Sequence, residues 1–183
     1  MPTFTYSFTV PAPRPAVAAF HRDTRVLKRL SPPPIFIQLH RFEPLAENSE
    51  ASFTMWFGPI PLRWRAVHTG VGPEGFTDTQ LAGPLDRWQH KHRFTALDGG
   101  HTRVEEQIIF EHAPGFKGTF TRLFFNRPAL TLLFTYRQLV TRLALREQAP
   151  AGTRRRWPTA LVAVFALFLI IRLWSRFRQW RFS

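Results

Sequence analysis

The sequence predicts an α+β domain: a curved antiparallel sheet of seven strands, two short helices after the first strand, and one long C-terminal helix over the sheet with a cavity beneath it. A transmembrane helix is expected behind that domain. Three observations carry this reading. Seven runs alternate or are apolar at strand length, and short turns separate the last five. Between Gly118 and Glu147 the apolar period changes to that of a helix. Beyond Thr153 an uncharged apolar stretch is bracketed by arginines.

The elements follow in order. In Thr3 to Val10, Phe4, Tyr6, Phe8 and Val10 share one face, opposite threonines and a serine, as in a half-buried strand. Pro11 and Pro13 break it, and Pro15 suits a first helical turn, where its missing N–H costs nothing. Ala16 to His21 and Asp23 to Leu30 read as two short helices, the second with Asp23 as N-cap. Ser31-Pro-Pro-Pro34 ends them. Six strands are expected at Ile35–Phe42, Ala51–Phe57, Leu62–Val71, Gly75–Leu81, Leu85–Leu97 and Thr102–His112. The turns at Gly58-Pro59, Gly72-Pro73, Gly83-Pro84 and Asp98-Gly99-Gly100 are too short for crossovers, so the strands form an antiparallel meander. In the C-terminal helix, Phe125, Ala129, Leu132, Tyr136, Leu139 and Leu143 form the expected apolar stripe, and Pro128 should start or kink it. Only this helix is long enough to cover the sheet.

Residues 1–147 are thus read as one domain, 148–156 as a linker with a basic cluster, 157–174 as a transmembrane helix, and 175–183 as a basic aromatic tail. The net charge of +13 supports this division. Seven arginines and no acid lie between Arg154 and Ser183, leaving 18 basic and 12 acidic residues elsewhere. Charge concentrated around an apolar run is a membrane-surface pattern, and basic residues interspersed with acids do not suggest nucleic-acid binding. The N-terminus has no basic and then apolar leader, so the expected location is the cell membrane, single-pass, with the N-terminal domain cytoplasmic. The chain has no cysteine, which removes disulfides, thiolate metal sites and cysteine nucleophiles.

Strand alternation separates the two faces of the sheet. Leu62, Trp64, Ala66 and His68 share one face; so do Phe76, Asp78 and Gln80; Trp88, His90, His92 and Phe94; and Val104, Glu106, Ile108 and Phe110. Their neighbours, such as Arg63, Arg65, Arg87, Lys91, Arg93 and Arg103, must face water. Hairpin register then places His68 beside Asp78, Asp78 beside His90, and His92 beside Glu106. Such a buried polar row has several uses. It can hold the sheet in register, orient a ligand's polar head group, or supply an acid–base pair; His90-x-His92 can also chelate a metal from one strand face. The expected cavity residues are Trp64, His68, Asp78, Gln80, Trp88, His90, His92, Glu106 and Tyr136. The sequence assigns no catalytic residue, cofactor or metal, and it contains no nucleophile elbow, phosphate loop or metalloprotease motif.

Four patches carry a family likeness: Phe20-His21 with Leu27, Leu30, Pro32 and Pro33; Gly58-Pro-Ile-Pro61-Leu-Arg-Trp64; Gly83-Pro84 with Trp88, His90, His92, Arg93 and Phe94; and Phe134 with Tyr136-Arg137. Through them the chain resembles the SRPBCC, or START-like, ligand-binding superfamily, and within it a bacterial subgroup found alone or fused to epimerase-like proteins. The resemblance implies a helix-grip fold with an internal hydrophobic cavity, in a superfamily that includes lipid carriers, aromatic cyclases and quinone-binding proteins. The expected function is a membrane-tethered binding or carrier domain for a hydrophobic small molecule (a lipid, an isoprenoid or a quinone-like compound), with membrane lipids as further partners. The alternative is a polyketide cyclase or dehydratase-like enzyme that uses the inner-face histidines and acids.

Overall fold

Alternating side chains and tight turns build the sheet in a computed structural model that describes residues 1–150, apart from Thr24 and the side chain of Phe42. The strands are β1 (Thr3–Val10), β2 (Ile35–Phe42), β3 (Glu50–Phe57), β4 (Ile60–Gly72), β5 (Gly75–Ala82), β6 (Arg87–Leu97) and β7 (His101–Glu111). The helices are α1 (Arg14–Arg22) and α2 (Val26–Arg29) after β1, then α3 (Gly115–Phe124) and α4 (Arg127–Ala144) after β7. All seven strands form one antiparallel sheet in the order β1-β7-β6-β5-β4-β3-β2. The first strand therefore pairs with the last, and β5 is the middle strand.

Each apolar face predicted from alternation is the inner one. Leu62, Trp64, Ala66, Trp88, Phe94, Val104, Ile108 and Phe110 are all buried, while Arg63, Arg65, Arg87, Lys91, Arg93 and Arg103 are exposed. Trp56, whose face alternation leaves open, lies outside: its Nε1 donates to Gln38 Oε1 at 3.1 Å, next to exposed Phe36. The core has two parts. One packs Phe4, Phe53, Trp64, Trp88, Phe125 and Phe134 between the sheet and the C-terminal helices. The other packs Phe8, Val10, Val17, Phe94, Val104 and Leu145 at the α1 end of the sheet.

The helices differ from expectation in two places. The segment Asp23 to Leu30 contains only the single turn α2, and Asp23 does not cap it. The Asp23 carboxylate instead accepts from the Arg25 backbone N–H at 2.9 Å and binds the Arg25 side chain, closing a local turn. The expected helix from Gly118 to Glu147 is two helices broken at Asn126. This side chain serves both: Oδ1 accepts from Ala129 N at 2.9 Å, and Nδ2 donates to the carbonyls of Arg122 at 2.9 Å and Leu123 at 3.1 Å. Pro128 sits in the first turn of α4. Within α4 the predicted stripe is not the buried one. Leu132 is 64% exposed and Leu143 is 37% exposed, whereas Leu130, Phe134 and Thr141 face the sheet.

Close approach requires glycine at Gly118, where a Cβ would collide with the Ala113 carbonyl, and at Gly75. Gly75 has φ +137°, and a Cβ there would collide with the His92 backbone carbonyl. A side chain at this position would push β5 away from β6 beside His92.

Contacts divide the chain into Met1–Ala151 and Gly152–Ser183. Among the described residues no helix is long and apolar enough to cross a membrane. The expected transmembrane segment 157–174 and the basic tail 175–183 lie outside the described residues.

Candidate functional site

Three hairpins bring the polar row together. Register pairs His68 with Asp78, Asp78 with His90, and His92 with Glu106, as alternation and turn length require. Glu106 is the hub. Its Oε2 lies 2.8 Å from His90 Nε2 and 2.8 Å from His92 Nδ1. The first contact is a hydrogen bond, His90 N–H donating. The second is off the line of the ring N–H, and His92 Nδ1 makes no hydrogen bond. On the other side of His90, Nδ1 stands 3.7 Å from Asp78 Oδ2. The His90 and His92 rings are 4.0 Å apart, and His92 stacks on Phe76 at 4.1 Å. His68 turns away from Asp78: its Nδ1 lies 3.0 Å from both the hydroxyl and the carbonyl of Ser49.

Two members of the cluster come from helices, and strand alternation could not point to them. His21 on α1 is buried, with Nδ1–H donating to the Val17 carbonyl at 2.9 Å and its ring 6.0 Å from His92. Arg137 on α4 donates from Nε to the Leu30 carbonyl at 3.3 Å, and its guanidinium lies 5.1 Å from the centre of the Phe134 ring. The available signal was the family likeness at Phe20-His21 and Tyr136-Arg137. Tyr136, the residue expected from this helix, is half-buried. Phe134 is the α4 residue set edge-on over His90, at 5.5 Å.

Burial and mutual charge set the protonation states. Burial favours neutral Glu106, but His92 and His90 outweigh it and hold the carboxyl well below the usual range. Asp78 is likewise lowered: burial opposes this, and the interaction with His90 prevails. His90 is raised, because its contacts with Asp78 and Glu106 exceed the cost of burying its charge. Burial pushes His92 down to about 4 against the pull of Glu106, so its ring is neutral near pH 7. His21 is lowered too, chiefly by burial. Burial also lowers Arg137, partly offset by Glu106 and Asp78. The result is a His90 whose charged form is favoured by two carboxylates, flanked by two neutral imidazoles.

The remaining expected residues fall around this centre. Trp64 and Trp88 pack edge-on, with ring centres 5.4 Å apart, and Phe125 lies against both. At 6% and 7% exposure they belong to the aromatic core. Gln80 donates from Nε2 to the Leu85 carbonyl at 2.9 Å, and its buried Oε1 has no hydrogen-bond partner. The helices cover the sheet unevenly: α4 packs on β1, α1 on β6 and β7, and α2 on β2. Over β5 the inner-face residues Phe76, Asp78 and Gln80 are only half-buried, although β5 is the middle strand.

No family model and no curated protein matches the sequence. Solved structures do match. An aromatase/cyclase from Streptomyces sp. R1128 is 14% identical, with 83% of this chain and 98% of that one covered and a TM-score of 0.64. A START superfamily protein from Mycobacterium smegmatis is 9% identical, covering 79% and 97%, with a TM-score of 0.59. A nucleoside-diphosphate sugar epimerase from Corynebacterium glutamicum is 28% identical at a TM-score of 0.56; the match takes in 78% of this chain but only 29% of the epimerase. Strand order, the helices laid on one sheet face and these likenesses agree: the chain has the START-like, helix-grip fold of the SRPBCC superfamily.

Proposed function

We propose that this domain binds a hydrophobic small molecule, of lipid, isoprenoid or quinone type, between the concave sheet face and α4, and carries it without chemical change. The half-exposure of Phe76, Asp78 and Gln80 on the middle strand is the observation that carries the reading. A middle strand fully covered by helices buries its inner face; here three inner-face side chains of β5 stay partly open, from which we infer room for a ligand over it. Aromatic side chains border that space, and ionisable groups stand at one end, a combination suited to an apolar ligand with a polar head. The START superfamily and aromatase/cyclase neighbours favour the same ligand class.

In this reading the apolar segment Trp157 to Trp174 anchors the domain to the membrane from the cytoplasmic side. The support is composition: Trp157 to Ile171 carries no charge, and arginines and tryptophans flank it. A tether holds the cavity near a reservoir of membrane-dissolved ligand and raises its effective concentration.

The test is mass spectrometry of the organic extract from the full chain purified out of membranes. One hydrophobic compound should be recovered in near-stoichiometric amount. Gln80→Trp, which fills the space over β5, should reduce recovery by about tenfold or more (about 1.4 kcal/mol of affinity) while the thermal transition persists. An empty extract, with no uptake of added lipids or quinones, would end the proposal.

One observation favours a second reading. His92 is a neutral buried base whose Nδ1 makes no hydrogen bond, and Glu106 is beside it. A cyclase or dehydratase could use that nitrogen to take a proton from a bound polyketide-like substrate. Turnover of such a substrate, abolished by His92→Phe, would favour the enzyme over the carrier.

A further inference from the structure

We propose that Asp78, His90 and His92 form a binding site for one divalent transition-metal ion of the zinc class, with Glu106 orienting His90 behind it. One donor atom from each of the three residues lies within 4.8 Å of the others, the one such group among the described residues. Asp78 Oδ2 and His90 Nδ1 are 3.7 Å apart. Donors bound at about 2.0–2.1 Å in a tetrahedron stand roughly 3.4 Å apart, so this pair needs only a slight inward turn. The widest pair needs side-chain rotation of about 1 Å to reach bonding distance.

The framework favours chelation. His90 and His92 are two residues apart on β6, so both rings leave the same face of one strand. Asp78 is directly opposite His90 in the β5–β6 register. The three ligands are therefore held by adjacent strands in the middle of the sheet.

Two further observations point to an ion. The first is the orientation of His90. Its Nε2 is engaged by Glu106 at 2.8 Å, which leaves Nδ1 facing Asp78. A carboxylate behind an imidazole is the arrangement that fixes the tautomer of a metal-bound histidine and raises its basicity. The second is His92. More than nine-tenths of the residue is buried, and its Nδ1 lacks a hydrogen bond. An ion in line with Nδ1 would give this ring the contact that Glu106, 2.8 Å away but off that line, does not.

Access agrees. The Asp78 side chain is 25% exposed while that of His90 is 3% exposed, so an ion can reach the site from the space over β5. Two imidazoles and one carboxylate, with no thiolate in the chain, select zinc-class ions over Mg²⁺ or Ca²⁺. Coordination positions left open would face the same space. The proposal does not depend on the ligand reading, since the ion can bind alone.

The experiment uses the full chain in mild detergent, stripped with chelator, titrated with ZnCl₂ by calorimetry and with CoCl₂ by visible absorption. One ion per chain should bind with micromolar or tighter affinity, and Co²⁺ should show the d–d bands of a four- or five-coordinate site. Asp78→Asn and His92→Gln should each weaken binding about 100-fold or more, and Glu106→Gln about 10- to 100-fold. His101→Ala, at a histidine outside the cluster, should change nothing. Sub-stoichiometric binding, octahedral cobalt, or full affinity in folded Asp78→Asn and His92→Gln would overturn the site. If those variants do not fold, zinc-dependent shifts of the His90 and His92 ring nitrogens in the unmutated protein decide the matter. Shifts confined to other histidines would overturn it.

Discussion

At the residue scale, the cost of burial decides what each ionisable group does. Two carboxylates facing His90 raise it against the cost of burial, while burial pushes His92, on the same strand, down to about 4. This difference has a consequence for stability. The folded-state value of His92 is about 4, against 6.5 for the unfolded chain. As pH falls below 6.5, the unfolded chain takes up a proton that the folded chain refuses, so stability is lost between about pH 6.5 and 4. The loss from this residue is about 3 kcal/mol at most. Chelator-treated protein should therefore show a urea midpoint that declines through this window. In His92→Phe, which keeps the stack on Phe76, the decline should be shallower, with a remainder from His21, whose value is lowered in the same direction. An unchanged slope in that variant would refute the assignment of a neutral His92.

At the element scale, Asn126 decides where one helix ends and the next begins. Its amide accepts from the first turn of α4 and donates to the last carbonyls of α3, so a single side chain satisfies both ends. Asn126→Ala should cost about 1–2 kcal/mol, read as a shift in urea midpoint. Asn126→Asp should recover the part due to α4, because its carboxylate still accepts from Ala129 N. It should not recover the α3 part, because it has no donor for the Arg122 and Leu123 carbonyls. If Asp and Ala variants are equally destabilised, the α4 cap contributes nothing. Within α4, a stripe through Ala129, Leu132, Tyr136, Leu139 and Leu143 and one through Leu130, Phe134 and Thr141 both have helical spacing, and packing on the sheet selects the second as the buried face.

At the scale of the whole molecule, the sheet begins and ends with paired elements. β1 pairs with β7, and Leu145 after α4 packs into the second core cluster with Val10 and Val17. Among the described residues both core clusters close by Leu145. A chain truncated after Gln148 should be monodisperse and unfold in one cooperative transition, checked by sedimentation and thermal melting. Aggregation or loss of the transition would mean that residues beyond 148 belong to the fold. The full chain, by the proposed tether, should resist extraction from membranes by alkaline carbonate and require detergent; release by carbonate alone would exclude a spanning segment.

Much of this architecture is legible in the order of the residues. A strand's side chains alternate with a period of two, and short turns leave one antiparallel register open. Reading Leu62 to Phe110 two residues at a time therefore suffices to put Asp78 beside His90 and His92 beside Glu106. Trp56 shares its face of β3 with Glu50, Ser52 and Thr54, and only its own apolar ring argues against that outward face. Other features required three dimensions. His21 and Arg137 join the cluster from helices distant in sequence, through packing that no local period encodes. Turn length and alternation bring His68 opposite Asp78, but the free rotation of its side chain lets it choose Ser49 instead. Whether an inward-facing aromatic residue lines open space or fills the core depends on how far the helices extend across the sheet. Tertiary packing makes that choice: Trp64 and Trp88 are enclosed by Phe125, while Phe76 and Asp78 are left half-open over the middle strand.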